Sequence, residues 1–278
     1  MDISFIIPTI GRIGEVDQVL QSILENTPET YSYEVLIIDQ NGDDRLDDTI
    51  AGYKKDMVVS HYKVSFRGVS RARNYGTQLS KGEFLNYPDD DSRLLDGAVK
   101  QAIDFLTTTD YSLVSGRSVD GEGKSTMTKF SAMPPGDLQL NKLEYQVIEY
   151  SFFAKRSLML AYPFDETLGP GCFHGCYEGF DLIYRMMENS EKLFYMPDIK
   201  FYHPQSVIDH ASSKTVLRSF TYRCGFAKGC IKHRLYFRVI KRLLLVAAYL
   251  PYCIFFNRRK TRFYLAEVLG IFAGIVVK

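Results

Sequence analysis

Asp89, Asp90 and Asp91 follow one another directly after the apolar run EFLNY at 83–87 and Pro88. Three adjacent carboxylates repel one another, and folding gains nothing by gathering them at the end of a buried strand. A divalent cation reverses that balance. Hard oxygen ligands suit Mg2+ or Mn2+, which takes few protein carboxylates and completes its coordination with water and phosphate oxygens. Taken alone, the triplet fits a solvated acidic turn as well. A second acidic pair, Glu178 and Asp181, is spaced to share one helix face near a positively polarised N-terminal end. Cys172 and Cys176 flank His174 at a spacing that some zinc ligands use, but no second pair follows, which favours ordinary loop thiols.

These residues need elements to hold them. ISFII at 3–7, ended by Pro8, is a buried strand; Val16, Val19, Leu20, Ile23 and Leu24 recur at helical spacing; EVLIID at 34–39 is a second strand closed by QNGDD. The order strand, helix, strand begins a parallel α/β sheet, whose ligands sit beyond the carboxyl ends of the strands. Pro8, Thr9, Asp39 and the triplet all fall at that edge. VVSHYKV at 58–64 and YSLVSG at 111–116 add strands, RARNYGTQLSK adds a helix, and the stripe from Leu94 to Leu106 predicts another helix. The polar segment 119–143 is a mobile loop over a site or a surface insertion.

The net charge of +1 conceals a segregation: residues 1–204 hold 20 Lys and Arg against 31 Asp and Glu, whereas residues 205–278 hold 14 against 2. The C-terminal quarter therefore faces something anionic. Its basic residues alternate with runs such as LLLVAAYLPYCIFF, which suits an anionic bilayer surface and not nucleic acid. Neither apolar run, 243–256 broken by Pro251 nor 263–277 containing Glu267, reaches the roughly 20 residues of a span, so helices lying in the interface are expected. A helical subdomain packed on a soluble core is the alternative. Five cysteines without a tight pair, and an N-terminus lacking a basic region before a long apolar stretch, fit a reducing, cytoplasmic setting. The division read here is 1–204 and 205–278.

Four stretches together resemble the family 2 glycosyltransferases: FIIPT at 5–9; EVLIIDQNGDDRL at 34–46; GVSRARNYG at 68–76 with KGEFLNYPDDDSRL at 81–94; and FDETLG at 164–169 with YEGFDLIYR at 177–185, ahead of YMPDIKFYHP. The resemblance implies a GT-A fold, a Rossmann-like mixed sheet flanked by helices, over residues 1–204. It implies inverting transfer of a sugar from a nucleotide-sugar donor to a lipid-linked or glycan acceptor, with Mg2+ or Mn2+. Pro8, Thr9 and Asp39 would line the nucleoside pocket, and Arg73 would aim its guanidinium at the diphosphate, with Arg71 competing for that role. Asp89 and Asp91 would be the DxD pair, with Asp91 the more direct metal ligand, Asp90 on the ribose and His203 near the metal or the phosphates. Glu178 would be the base that takes the acceptor's proton, although Gly179 stands where the family's second acid is usual; Asp181 is the other candidate. His210 and His233 carry no pattern that assigns them. A sugar nucleotidyltransferase fits less well, since PTIGRIGEV has only two separated glycines, and a processive synthase less still, since the chain has no Trp. A noncatalytic scaffold of the same fold is the reading from another class.

Overall fold

The run ISFIIPT forms β1 (Ile3–Thr9), α1 spans Gly14–Asn26, and YEVLIID forms β2 (Tyr33–Asp39). The two strands pair in parallel with Pro8 beside Ile38 and Thr9 beside Asp39, so their carboxyl ends coincide. Along the chain follow α2 (Asp47–Tyr53), β3 (Val58–Lys63), α3 (Val69–Leu79), β4 (Phe84–Asn86), β5 (Arg93–Leu94), α4 (Ala98–Thr108), β6 (Leu113–Val119), β7 (Gly136–Asp137), α5 (Leu143–Gln146), β8 (Phe152–Lys155), α6 (Arg156–Ala161), α7 (Glu178–Glu188), β9 (Leu193–Tyr202), α8 (Ser213–Lys232), α9 (Tyr236–Phe256) and α10 (Arg258–Val276). The computed structural model describes residues 1–126, 133–204 and 209–277.

The strands make one mixed sheet in the order β3-β2-β1-β4-β8-β6-β9-β5, with β7 on β9. Pairing is parallel from β3 to β4; β8 then runs antiparallel to both β4 and β6. Ile3, Phe5 and Ile7 of β1 and Val35 and Ile37 of β2 alternate onto one face. There they meet Val16, Val19, Leu20 and Ile23 of α1 in the main core. This mixed sheet flanked by helices is the GT-A architecture. Two local expectations change. Leu94 lies in β5, paired with Phe201, and the helix starts only at Ala98 after Gly97 adopts φ 75°, so strand pairing overrides the helical stripe at its first turn. Within 119–143, residues 127–132 lie outside the described residues, while Gly136 and Asp137 form a short strand beside β9 and are not loop.

By packing, the chain divides into two compact units. The first comprises Met1–Arg67, Arg71–Pro163 and Leu182–Gln205 and contains the sheet; the second comprises Gly68–Ser70, Phe164–Asp181 and Ser206–Lys278. Within the second, Gly270 and Gly274 of α10 lie so close to α8 that a Cβ on either would fall 2.3 Å from the Phe220 carbonyl oxygen or 2.2 Å from that of Cys224. Such small residues four apart let two helix backbones touch. Glu267 is 2% exposed and neutralised by Arg223 of α8 and Arg242 of α9, so the acid inside the apolar run staples three helices. α9 continues through Pro251, and by length and composition alone it is a helix long and apolar enough to cross a membrane, which the broken 14-residue run did not suggest. It buries only Val239, Val246 and Cys253 and leaves Phe237, Leu244, Leu245, Phe255 and Phe256 exposed.

Candidate active site

The aspartate triplet follows β4 through Pro88 and meets residues from β1 and the loop after it, from α3 and from the position just after β9. Each carboxylate has its own protein partners. Asp89 Oδ1 accepts a hydrogen bond from Arg73 Nη2 at 2.8 Å, and the Arg73 side chain is 2% exposed. Asp90 Oδ2 accepts from Thr9 Oγ1 at 2.9 Å and from the Ile10 amide at 3.3 Å, while its Oδ1 pairs with Arg12 Nη1 at 2.9 Å. Asp91 turns Oδ2 to Arg12 in a still closer ion pair and Oδ1 to His203 Nε2 at 3.3 Å. Burial pushes the Asp90 carboxyl up to about 6 against the pull of Arg12 and Thr9. Burial also opposes ionisation of Asp91, but His203 and Arg12 outweigh it and hold that carboxyl below its ordinary range.

His203 is oriented from two sides. Its ring stacks on Tyr150 with centroids 5.0 Å apart and planes at 13°, and the Tyr150 hydroxyl donates to Ser118 Oγ at 2.7 Å. Its Nδ1 lies 2.9 Å from the Pro204 carbonyl oxygen. A carbonyl only accepts, so Nδ1 carries the hydrogen and the neutral ring presents its Nε2 lone pair to Asp91. Two lone pairs facing each other need a proton or a metal ion between them. Burial favours the neutral imidazole, yet the facing Asp91 carboxylate overrides this and raises its proton affinity above the ordinary histidine value.

Ligand atoms of Asp89, Asp91 and His203 all lie within 4.8 Å of one another, and this is the one such group of acidic, histidine or cysteine ligands among the described residues. Two carboxylate oxygens and one oriented imidazole nitrogen fit Mg2+ or Mn2+ and leave coordination positions for phosphate oxygens. Asp90 is engaged by Thr9 and stands apart from that set. Cys172 and Cys176 donate to separate carbonyls, of Glu166 and Tyr222, and are not a zinc pair.

At the carboxyl end of β2, Asp39 is fully buried. Its Oδ1 accepts from the amide and side chain of Asn41 at 2.8 and 2.7 Å, and its Oδ2 pairs with His61 Nε2 at 2.8 Å. Asn41 in turn accepts from the Gly11 amide at 2.7 Å, tying the two strand ends together. Pro8 and Thr9 are buried beside it.

Glu178 and Asp181 belong to the second unit, at the start of α7. Tyr177 precedes them with φ 83°, a conformation costly for a residue with a side chain. Glu178 is 6% exposed and its carboxyl sits against Gly169, where a Cβ would come within 3.0 Å of Cδ at φ 104°. Asp181 is fully buried, and its Oδ1 receives both Lys232 Nζ at 2.7 Å and His233 Nε2 at 2.8 Å. His233 thus has a specific partner that its place in the basic segment concealed.

Sequence reasoning passed over Arg12, Asn41, His61, Tyr150 and His233. A cation three residues beyond the first strand end was the one available signal for Arg12. Tyr150 and His233 act by contacts between distant segments and leave no local mark.

Comparison with known proteins agrees with this fold. The model described as "Glycosyl transferase family 2" matches residues 4–165. An uncharacterized glycosyltransferase of Rickettsia bellii is 27% identical over 124 residues, 44% of this chain and 18% of that protein. The poly(ribitol-phosphate) beta-N-acetylglucosaminyltransferase TarP of Staphylococcus aureus is 27% identical over 126 residues, 44% of this chain and 38% of its own length. The chain therefore spans well under half of these curated relatives. The crystal structure of S. aureus TarS 1–349 in complex with UDP-GlcNAc has the same fold, with TM-score 0.60 at 14% identity over 81% of this chain and 66% of that one.

Proposed function

This chain belongs to glycosyl transferase family 2, and we propose that it transfers a sugar with inversion from a nucleotide-sugar donor to a lipid-linked or glycan acceptor in polysaccharide or glycoconjugate biosynthesis. The observation that carries the proposal is the convergence of Asp89, Asp91 and His203 beyond the carboxyl ends of β4 and β9. Mg2+ or Mn2+ held by these three would neutralise the charge that builds on the diphosphate as the anomeric bond breaks. Thr9, Asp39 and Pro8 receive the nucleoside at the two coincident strand ends. Arg73, buried behind the triplet, holds Asp89 in place and adds positive charge behind the phosphates. The complex of TarS makes a uridine diphosphate sugar the first donor to test.

Glu178 removes the proton from the acceptor hydroxyl as its oxygen attacks the anomeric carbon from the side opposite the leaving nucleotide. The pairing of Asp181 with Lys232 and His233 supports that choice, because a carboxylate oxygen shared by two such partners is a poor proton acceptor. Asp181 instead secures the start of α7.

Residues 205–278 dock the catalytic domain, 1–204, on the inner, cytoplasmic face of an anionic membrane. The apolar, outward surface of α9 supports this, as do exposed cations toward both its ends: Arg234 just before it and Lys241 in its second turn, Arg258, Arg259 and Arg262 after it. Cations at both ends favour a helix lying in one headgroup layer. The test is thermal stabilisation by a panel of nucleoside diphosphates with and without Mn2+, followed by release of nucleoside diphosphate from the sugar donor in the presence of acceptor lipid. Stabilisation by none of the panel, with or without metal, would refute donor binding.

A further inference from the structure

We propose that Arg12 couples the divalent cation to the donor, by competing with the cation for Asp91 so that metal is held well only together with the donor's diphosphate. This rests on the reading of Asp89, Asp91 and His203 as the cation's ligands. Arg12 stands on the loop between β1 and α1, one residue after Gly11, whose φ of 76° turns the chain. Its Nη1 bridges Asp90 Oδ1 and Asp91 Oδ2. The two oxygens of Asp91 are thus divided, Oδ1 toward His203 and Oδ2 toward Arg12.

A carboxylate that already carries a guanidinium is a weaker ligand for a metal ion, and a divalent ion beside that guanidinium is repelled by it. A diphosphate removes both penalties at once. Its oxygens complete the metal's coordination, and its charge gives the guanidinium an anion to which a planar fork is well matched. The Arg12 side chain is 36% exposed, which leaves it room to turn from Asp91 toward such an anion. Arg12 is also tied to the nucleoside end: the Gly11 amide donates to Asn41 Oδ1, and Asn41 donates twice to Asp39. Occupation of the Asp39 side and the position of Arg12 therefore share one hydrogen-bonded chain. Such coupling is reciprocal, so metal must strengthen diphosphate binding by the factor by which diphosphate strengthens metal binding.

The experiment measures Mn2+ affinity by electron paramagnetic resonance of the free ion, for wild type, Arg12→Ala and Arg12→Gln, without and with uridine diphosphate as the probe. In both variants Mn2+ alone should bind at least about fivefold tighter than to wild type, and the enhancement by uridine diphosphate should shrink by a similar factor. Two variants of different size guard against a local packing effect, and their unfolding temperatures show that the fold is kept. Equal or weaker binding of Mn2+ alone in both variants, or an unchanged enhancement, overturns the coupling. Wild-type Mn2+ binding that Asp91→Asn abolishes but Arg12→Ala leaves unaltered overturns the coupling while sparing the ligand set. Absence of any Mn2+ binding in wild type, with or without the probe, overturns both.

Discussion

His203 Nε2 lies 3.3 Å from Asp91 Oδ1, although one residue follows β9 and the other follows β4. The opposite ring nitrogen is committed to the Pro204 carbonyl, so the pair forms a preset clamp whose two lone pairs converge on one point.

Asp91→Asn tests that clamp. The amide is a poorer ligand and lacks the charge, so Mn2+ binding and sugar transfer should both be lost. Folding should change by about 1 kcal/mol or less, because the variant gives up partly exposed ion pairs and also relieves repulsion from Asp89 and Asp90. Titration with Mn2+ alongside thermal unfolding checks this; wild-type turnover in Mg2+ would end the metal role.

Glu178→Gln keeps the shape of the side chain against Gly169 and removes its basicity. Turnover should fall by roughly two to four orders of magnitude with donor affinity nearly intact. Asp181→Asn, by contrast, should act first on stability, since it strips the charge from a carboxylate shared by Lys232 and His233. Comparing kcat with the unfolding midpoint for each variant separates the roles. Full activity in Glu178→Gln together with a collapse in a still-folded Asp181→Asn would move the base to Asp181.

Glu267→Gln removes the acid that Arg223 and Arg242 share among α8, α9 and α10. Two guanidiniums left without their counter-charge, both about 30% exposed at the side chain, should cost on the order of 2 kcal/mol, less than a fully buried pair would. Denaturant unfolding reads the change. A loss within measurement error would show that the triad is solvated and that the helices are held by the Gly270 and Gly274 crossing alone.

Membrane docking is checked by sedimentation with anionic vesicles. Wild type should pellet at low salt and resist moderate salt, because apolar insertion persists where screened charges do not. Phe255 and Phe256 are 74% and 78% exposed, so replacing both by Ser disturbs little of the fold. It should weaken binding more than tenfold, at roughly 1 kcal/mol for each side chain only partly inserted. Recovery of wild type in the supernatant at low salt would leave the basic quarter as a soluble helical cap.

The sequence by itself determined the strands that carry the site and the residues at their ends. Apolar runs stopped by Pro8, Asp39 and Pro88 announce buried strands, and polar residues after a buried strand emerge at the ligand edge of an α/β sheet. The acidic triplet was legible for the same reason, as was the charge division near residue 204, because both are properties of consecutive residues. Only the tertiary structure decided how the three carboxylates differ. Asp89 goes to Arg73, Asp90 to Thr9 and Asp91 to His203, since each choice depends on partners brought in by other elements of the fold. The same holds for Arg12, for Tyr150 beneath His203, and for Asp181, whose partners Lys232 and His233 arrive from α8 and the turn after it. Pro251 and Glu267 read locally as interruptions of apolar runs, and both sit inside continuous helices. Glu267 is accommodated because neutralising arginines come from two other helices, and a run of residues in one segment carries no trace of charges supplied by another.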